Sequence, residues 1–521
     1  MGGHNRGLAG GQTVRATRPS STARARHADS QTATPLRADD KTEQTLTDVG
    51  EPERLRIARV TPSLASVMQV TARHSKSGDR VVDRKATICL LAVATTFIAT
   101  VSLTPQMRVL AITHVNVVDV VDGWIVPNST VTIRGETIAS VAQNSAPLGG
   151  AQTVDGRSKF LIPGLWDMHT HMEMTGASWL QLHVANGVTA IRDMGSDLDL
   201  ILKMRDDTAS GRVLGPRIFA AGPILDDAPG DWPFRLRVKT AEDARAAVQL
   251  LRRRSVDLIK VHDHTPREAF FALADEAHRQ NLPLAGHIPV GLTVEEVIDA
   301  GQRDIEHLDN WTLWRRCTED TVYRPDLRQP FFEMLARRGI WQTPTLVAAA
   351  EVATIGSPAS NISPDQIAYA GKSLKAMWAG NQSLGGTAPE AIRIMRTRAE
   401  VGARVTSDMA KAGVRILAGC DGMIAGFCLH DELGAMVRGG MTPRAALQTA
   451  TINPARYFRL EQTAGSVASG RRADLVLLDE NPLADIANVR RIRGVIAAGR
   501  LLDREALDKM LARVKRAATQ Q

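Results

Sequence analysis

The sequence predicts an α/β protein whose main part is a TIM-like (β/α)8 barrel, and three observations lead to this fold class. Eight short apolar runs, typical of buried strands, recur between residues 160 and 421. Segments with the apolar spacing of helices separate them, as at 241–253, 266–280 and 293–300. Side chains that can bind metal follow several of the runs. Alternating strands and helices favour a parallel sheet, and eight such units favour a closed barrel.

The amino-terminal residues 1–85 differ in composition from the rest of the chain. They are polar and show no sustained apolar period, so we expect them to be disordered. They carry 15 Lys and Arg against 9 Asp and Glu, which leaves only about two of the eight net positive charges for the remaining residues. No basic helix or aromatic–basic surface follows, and the sequence therefore argues against a nucleic-acid partner.

An apolar run at 86–104 has the pattern of a signal peptide. Arg84 and Lys85 precede it, and small and polar residues end it. The run contains several threonines and is shorter than a membrane-spanning helix, which needs about 20 apolar residues. Because signal peptides lie at the amino terminus, we expect residues 1–67 to be an over-extended start and translation to begin at Met68. We therefore expect the protein to be exported to the periplasm or the medium. The alternative is that residues 86–103 anchor it to a membrane.

The predicted strands are short, and most are rich in aliphatic residues. Those of the barrel are 160–171, 187–195, 217–223, 257–262, 283–287, 304–307, 341–347 and 415–421. Further strands flank them at 109–117, 124–133, 138–141, 473–478 and 493–502, and the chain ends in a predicted helix at 504–521. The connection 348–405 is long for a barrel, and we expect it to form a lid that faces the substrate.

His169 and His171 end the first barrel strand. Side chains two residues apart on a strand share a face, so both imidazoles can reach one metal ion. Imidazole is the commonest protein ligand for zinc, but two nearby histidines are more often surface or packing residues. The pattern gains weight from further residues in or at the ends of later strands, which are Lys260, His287, His307 and Asp421.

Together these residues resemble the amidohydrolase superfamily, in its imidazolonepropionase-like or Xaa-Pro dipeptidase-like branch. The resemblance covers residues 109–503 and includes the stretches 429–433, 440–447, 450–455 and 470–479. It implies a barrel over 162–464 and a small β-sandwich formed by both flanks of the barrel, 105–161 and 465–503.

The resemblance also implies two divalent metal ions, with zinc as the expected metal. His169, His171 and Asp421 would hold the first ion, and His287 and His307 the second. A carbamylated Lys260 would bridge the two, and burial would supply the neutral amine that carbamylation needs. Two cations activate a bridging hydroxide and polarise a carbonyl oxygen. Asp421 would then act as general base and acid.

Some of these residues also have simpler interpretations. Lys260 could pair with Asp257 or Asp263, and His307 could pair with Glu306. Each would then be a structural residue rather than a ligand.

His262 and His264 follow the fourth strand and are candidate substrate contacts, although exposed loop positions are the simpler interpretation. His287 and Asp421 could instead end their strands in turns. These alternatives stay open at the level of sequence.

Cysteine usage excludes one kind of site. The chain has four cysteines and no Cys-x-x-Cys, so a thiolate metal site is not expected. Cys420 is predicted to be buried, and a pairing of Cys317 with Cys428 stays open.

The sequence thus predicts an exported, metal-dependent hydrolase that cleaves carbon–nitrogen bonds in a small-molecule substrate. One alternative is a dipeptidase or carboxypeptidase acting on N-acyl amino acids, and another is a lactone or ester hydrolase. A barrel that binds metal without turnover is the competing class of function. Formation of a homo-oligomer is left open.

Overall fold

The computed structural model describes residues 109–520, except for 230–233, 309, 320–321, 353, 356–359, 361, 382–387 and 422–423. The predicted disordered tail 1–85, the start at Met68 and the apolar run 86–104 lie outside the described residues. None of the described helices is both long and apolar enough to cross a membrane.

Eighteen strands are described, most of them three to six residues long. In chain order they are β1 (Val109–Val118), β2 (Ile125–Arg134), β3 (Thr137–Gln143), β4 (Gln152–Asp155), β5 (Phe160–Pro163), β6 (Leu165–Thr170), β7 (Val188–Asp193), β8 (Arg217–Ala220), β9 (Ile224–Asp226), β10 (Arg235–Arg237), β11 (Ile259–Val261), β12 (Leu284–Gly286), β13 (Gln302–Glu306), β14 (Trp341–Thr343), β15 (Arg415–Ile416), β16 (Leu475–Leu478), β17 (Ile492–Ala497) and β18 (Arg500–Asp503).

The strands from both flanks join in one eight-stranded sheet. Its order is β18-β17-β16-β5-β1-β2-β3, with β4 beside β1. The two flanks meet where β5 pairs antiparallel with β16, and alternate side chains such as Ile112, Ile133 and Leu475 pack into one apolar cluster. The division of these strands into the two layers of a sandwich stays a prediction.

The parallel strands form two sheets, which corrects the expectation of one closed barrel. Strands β6 to β8 make one sheet, and the order β10-β9-β11-β12-β13-β14-β15 makes the other. Backbone hydrogen bonds join their edges, from Met168 N to Ala418 O (2.9 Å), from Asp421 N to His169 O (2.7 Å) and from Asp257 N to Ala220 O (2.8 Å). Strand β15 has only two residues, and the chain turns after it at Asp421, whose φ is +53°.

Helices alternate with the parallel strands, as the sequence predicts. They are Met172–Thr175, Trp179–Ala185, Leu198–Ala209, Ala241–Arg253, Arg267–Arg279, Val294–Asp299, Trp311–Cys317, Pro325–Arg337, Leu346–Val352, Pro364–Ile367, Lys372–Asn381, Pro389–Lys411, Phe427–Arg438, Pro443–Thr449, Ile452–Tyr457 and Arg504–Gln520, with a 3-10 helix at Ile486–Arg490. Capping boxes start three of them, at Thr240, Thr293 and Ser363.

The predicted seventh strand, 341–347, ends earlier than expected. It stops at Thr343 because Pro344 has no N–H for the ladder, and Thr345 turns the chain with a φ of +48°. A helix starts at Leu346, so much of the predicted lid 348–405 is helical. Its role as a lid stays a prediction.

Candidate metal centre

The structure places the candidate ligands at the carboxyl ends of the parallel strands. The imidazole of His307 touches those of two neighbours, with ring centroids 4.6 Å from His169 and 4.7 Å from His287. The rings of His169 and His171 are 5.3 Å apart. The four histidines therefore form one continuous group, although they come from three separate strands.

Asp421 lies at the centre of the first predicted metal site. Its Oδ1 is 3.5 Å from Nε2 of His169 and 3.4 Å from Nε2 of His171, and its Oδ2 is 3.7 Å from Nδ1 of His307. Suitable ligand atoms of His169, His171 and Asp421 lie within 4.8 Å of one another. Both strand histidines are buried, whereas 33% of the Asp421 side chain is exposed, so a small molecule can reach the carboxylate.

Each of the four histidines has an oxygen beside its Nδ1, and in three the contact is a hydrogen bond. The partners are Glu306 Oε2 for His169 (2.7 Å), Gly195 O for His171 (2.9 Å), Thr345 Oγ1 for His307 (2.8 Å) and Asp263 Oδ1 for His287 (3.0 Å, an ion-pair contact). A partner at Nδ1 fixes the ring and leaves Nε2 available to a metal.

The donor set fits a divalent cation. Nε2 of His169 is buried and makes no hydrogen bond with any residue that the structure describes. Burial, and then the charge of Lys260, hold the pKa of His169 well below its usual value, so the ring is neutral. Burial opposes ionisation of Asp421, but His307 and His169 hold the pKa of this carboxyl well below its usual value. Imidazoles around a carboxylate are ligands that zinc accepts.

Lys260 lies in β11 and is only 1% exposed. Burial lowers the pKa of its amine, although Glu306 and Asp421 oppose that shift. The two carboxylates that the sequence offered as partners are engaged elsewhere, because Asp257 lies 3.3 Å from Arg205 and Asp263 lies against His287. Burial therefore shifts the pKa of this amine in the direction of the neutral form that carbamylation needs.

His262 and His264 behave differently. The His262 ring packs on His287 with centroids 4.0 Å apart, and His262, Asp263 and His287 offer ligand atoms within 4.8 Å of one another. Burial, followed by His287, lowers the pKa of His262 to about 2. His264 belongs to neither cluster of described ligand atoms, and its backbone N–H donates to Asp226 Oδ1 at 2.8 Å.

Sequence reasoning missed the side chains that hold the ligands. Glu306 was considered only as a partner of its neighbour His307, whereas the structure pairs it with His169. Glu432 accepts the backbone N–H groups of Leu346 (3.0 Å) and Val347 (2.9 Å) and so fixes the turn that carries Thr345. Burial raises the pKa of Glu432 to about 8 against the effect of these two donors.

A disulfide bond between Cys420 and Cys428 was also missed. It closes the segment that contains Asp421, and Cys317 stays a free, buried thiol. The pairing of Cys317 with Cys428, which the sequence left open, is thus not formed. No local spacing signal identified the disulfide, whose cysteines stand at a sequence separation of 8.

Backbone strain also marks the site. His307, Thr345 and Asp421 have φ values of +60°, +48° and +53°, a region that non-glycine residues seldom adopt. Such conformations cost about 1–3 kcal/mol each and persist where the surrounding structure holds them, often at functional sites.

Comparisons with known proteins match most of the described chain. The sequence model of the amidohydrolase family matches residues 160–502. Ochratoxinase of Aspergillus niger is 26% identical over 435 residues, which cover 70% of this chain and 80% of that protein. The structure of bottromycin amidohydrolase superposes with a TM-score of 0.64 at 23% identity, covering 80% of this chain and 91% of that one. The structure of a prolidase complexed with N-methylphosphonate-L-proline superposes with a TM-score of 0.57 at 23% identity, covering 76% of this chain and 100% of that one.

Proposed function

Since the chain belongs to the amidohydrolase family, we propose that it is a metal-dependent hydrolase that cleaves an amide bond in a small molecule. The observation that carries the proposal is the cluster of His169, His171 and Asp421 at the strand ends. We also propose that the two parallel sheets together form a TIM-like barrel, a reading supported by the backbone hydrogen bonds that join them.

The proposed site holds two ions, with zinc as the expected metal. His169, His171 and Asp421 would hold one ion, His287 and His307 the other, and a carbamylated Lys260 would lie between them. When bound, such ions lower the pKa of water to about 7 and polarise a carbonyl oxygen.

Asp421 is the proposed proton carrier. Its carboxylate is ionised, partly exposed and adjacent to His171. It would accept the proton of the attacking water and deliver it to the departing nitrogen, since an amide anion is a very poor leaving group. His262, which packs on His287, is the proposed substrate contact beside the second ion.

The proposed substrates are N-acyl amino acids and dipeptides. The similarity to an ochratoxinase and to a prolidase supports this class. Lactones and other esters are the alternative substrates to be compared in the hydrolysis screen. The proposed location is outside the cytoplasm. The disulfide between Cys420 and Cys428 supports export, because such bonds persist in oxidising compartments.

Elemental analysis combined with a hydrolysis screen tests the proposal. We expect about two divalent ions per chain, turnover of an amide substrate, and loss of both after treatment with a chelator. His430→Gln is the control variant for any substitution of a ligand histidine. His430 is also buried, but its ring bonds the Asn186 carbonyl rather than a candidate ligand. Protein that binds no ion refutes the proposal, and bound ions without turnover of any substrate class indicate a metal-binding protein instead.

A further inference from the structure

We propose that Glu306, held in place by Arg192, is a positioning residue that orients His169 for metal binding. The inference rests on the proposed function, because it concerns how the first ion is held. Glu306 Oε2 lies 2.7 Å from His169 Nδ1, and Glu306 Oε1 accepts from Arg192 Nη2, also at 2.7 Å. All three side chains have no exposed surface.

Arg192 is fixed by contacts to several strands. Its Nε donates to the carbonyl of Met168 in β6 (2.6 Å), its Nη1 to Asp304 in β13 (2.5 Å), and its Nη2 to Thr343 in β14 (3.1 Å) as well as to Glu306. A planar guanidinium bound at so many points can take only one position. Glu306 is therefore held from the side opposite to His169.

Stability alone does not account for this network. Replacing a buried ion pair with apolar side chains of similar volume is often neutral or stabilising. The interior of a barrel such as the proposed one ordinarily holds branched aliphatic residues, yet the buried side chains of β7 and β13 include Arg192, Asp304 and Glu306. The arrangement has a direct use at His169, whose Nδ1 faces Glu306 while its Nε2 is left for the ion.

His169 in β6 and His171, which follows that strand, differ in the group that holds Nδ1. The Nδ1 of His171 is held by a neutral backbone carbonyl, that of Gly195, whereas the Nδ1 of His169 is held by a carboxylate. A carboxylate partner fixes the tautomer and makes the imidazole a stronger donor to a metal. We therefore expect the first ion to depend on Glu306.

Glu306→Gln tests the inference, because it preserves size and removes the negative charge. The affinity of one of the two ions, measured on the metal-loaded protein by competition with a chelator, should fall about 10- to 100-fold. In the cobalt-loaded protein the visible bands of one ion should shift, a change that a loss of stability elsewhere would not cause.

Glu276→Gln is the matched control. Glu276 is also a buried glutamate and pairs with Arg279, but it lies on the helix Arg267–Arg279 and touches no candidate ligand. It should leave the affinity of both ions and the cobalt spectrum unchanged. An equal loss of affinity in the two variants would overturn the inference, as would wild-type affinity in Glu306→Gln.

A second variant covers the case in which Glu306→Gln does not fold. Thr343→Val removes the hydroxyl that accepts from Arg192 Nη2 and donates to Asp304, without changing any charge, and should weaken binding of the same ion about two- to fivefold. Unchanged affinity there would equally overturn the inference. If the wild-type protein binds no ion, the proposed function and this inference fail together. If it binds two and neither variant weakens them, only the inference fails.

Discussion

Replacing Gly419 by alanine is expected to damage the first metal site with a single methyl group. Gly419 follows β15 and packs against β6. A Cβ at this position would lie 2.7 Å from the Cβ of His169, 2.9 Å from its backbone N and 2.9 Å from Cγ2 of Thr343. The backbone at Gly419 does not need glycine for its φ, so the cost is steric.

The size of the effect follows from these distances. Ordinary contact begins near 3.4 Å, so the Cβ of His169 must move by about 0.7 Å relative to Gly419. Both neighbours lie on buried strands and cannot swing away. Overpacking of this kind costs about 1–3 kcal/mol of unfolding free energy. A shift beyond about 0.5 Å is more than a preorganised site tolerates, and a displacement of 1 Å costs about 10²-fold in rate.

Urea unfolding of the metal-free protein and chelator competition of the loaded protein measure the two effects. Gly434→Ala is the control, because its Cβ would meet only the flexible end of Arg438, at 3.2 Å. Since Gly434 lies within the helix Phe427–Arg438, alanine there should stabilise the protein by about 0.5–1 kcal/mol. Equal stability and equal metal affinity in the two variants would refute the steric reasoning.

Three further predictions concern the site and its surroundings. Lys260→Ala should lose one ion and most activity, and a variant with both ions and full activity would exclude the bridging role. Asp421→Asn should slow amide hydrolysis about 10²- to 10⁴-fold but affect an ester with a good leaving group less, so equal defects would leave Asp421 as a ligand alone. Replacing Cys420 and Cys428 with serine should lower the free energy of unfolding by about 2.5 kcal/mol, because the disulfide no longer closes a loop over a sequence separation of 8 in the unfolded chain. An unchanged urea midpoint would contradict this.

The sequence predicted the positions of the parallel strands better than their pairing. Strand β11, for example, lies inside the predicted run 257–262, because an apolar run bounded by polar residues is a local signal. The pairing of strands into sheets depends on hydrogen bonds between distant segments, such as the one from Met168 N to Ala418 O, and no local pattern reveals them. Strands β9 and β10 were missed, because the apolar residues there form only short stretches between Pro, Asp and Arg residues.

The candidate ligands could be predicted because their signal is also local. His169 and His171 share a face through the two-residue period of a strand. The same rule bears on an alternative that the sequence left open. Glu306 and His307 are adjacent, and adjacent side chains of a strand point to opposite faces, so these two were poor candidates for a pair. The structure accordingly turns Glu306 towards Arg192 and His169.

The supporting contacts could not be predicted, because they join residues far apart in sequence. Glu306 and His169 are 137 residues apart, and Glu432 holds a turn about 85 residues away. The first pair depends on strand register, since a slip of one residue would turn each side chain to the other face. The second depends on how two helices far apart in sequence pack together. Ligands and supporting residues should therefore respond differently to substitution. Loss of a ligand changes how many ions bind, whereas loss of Glu306 or crowding by Gly419→Ala changes how tightly the same number binds.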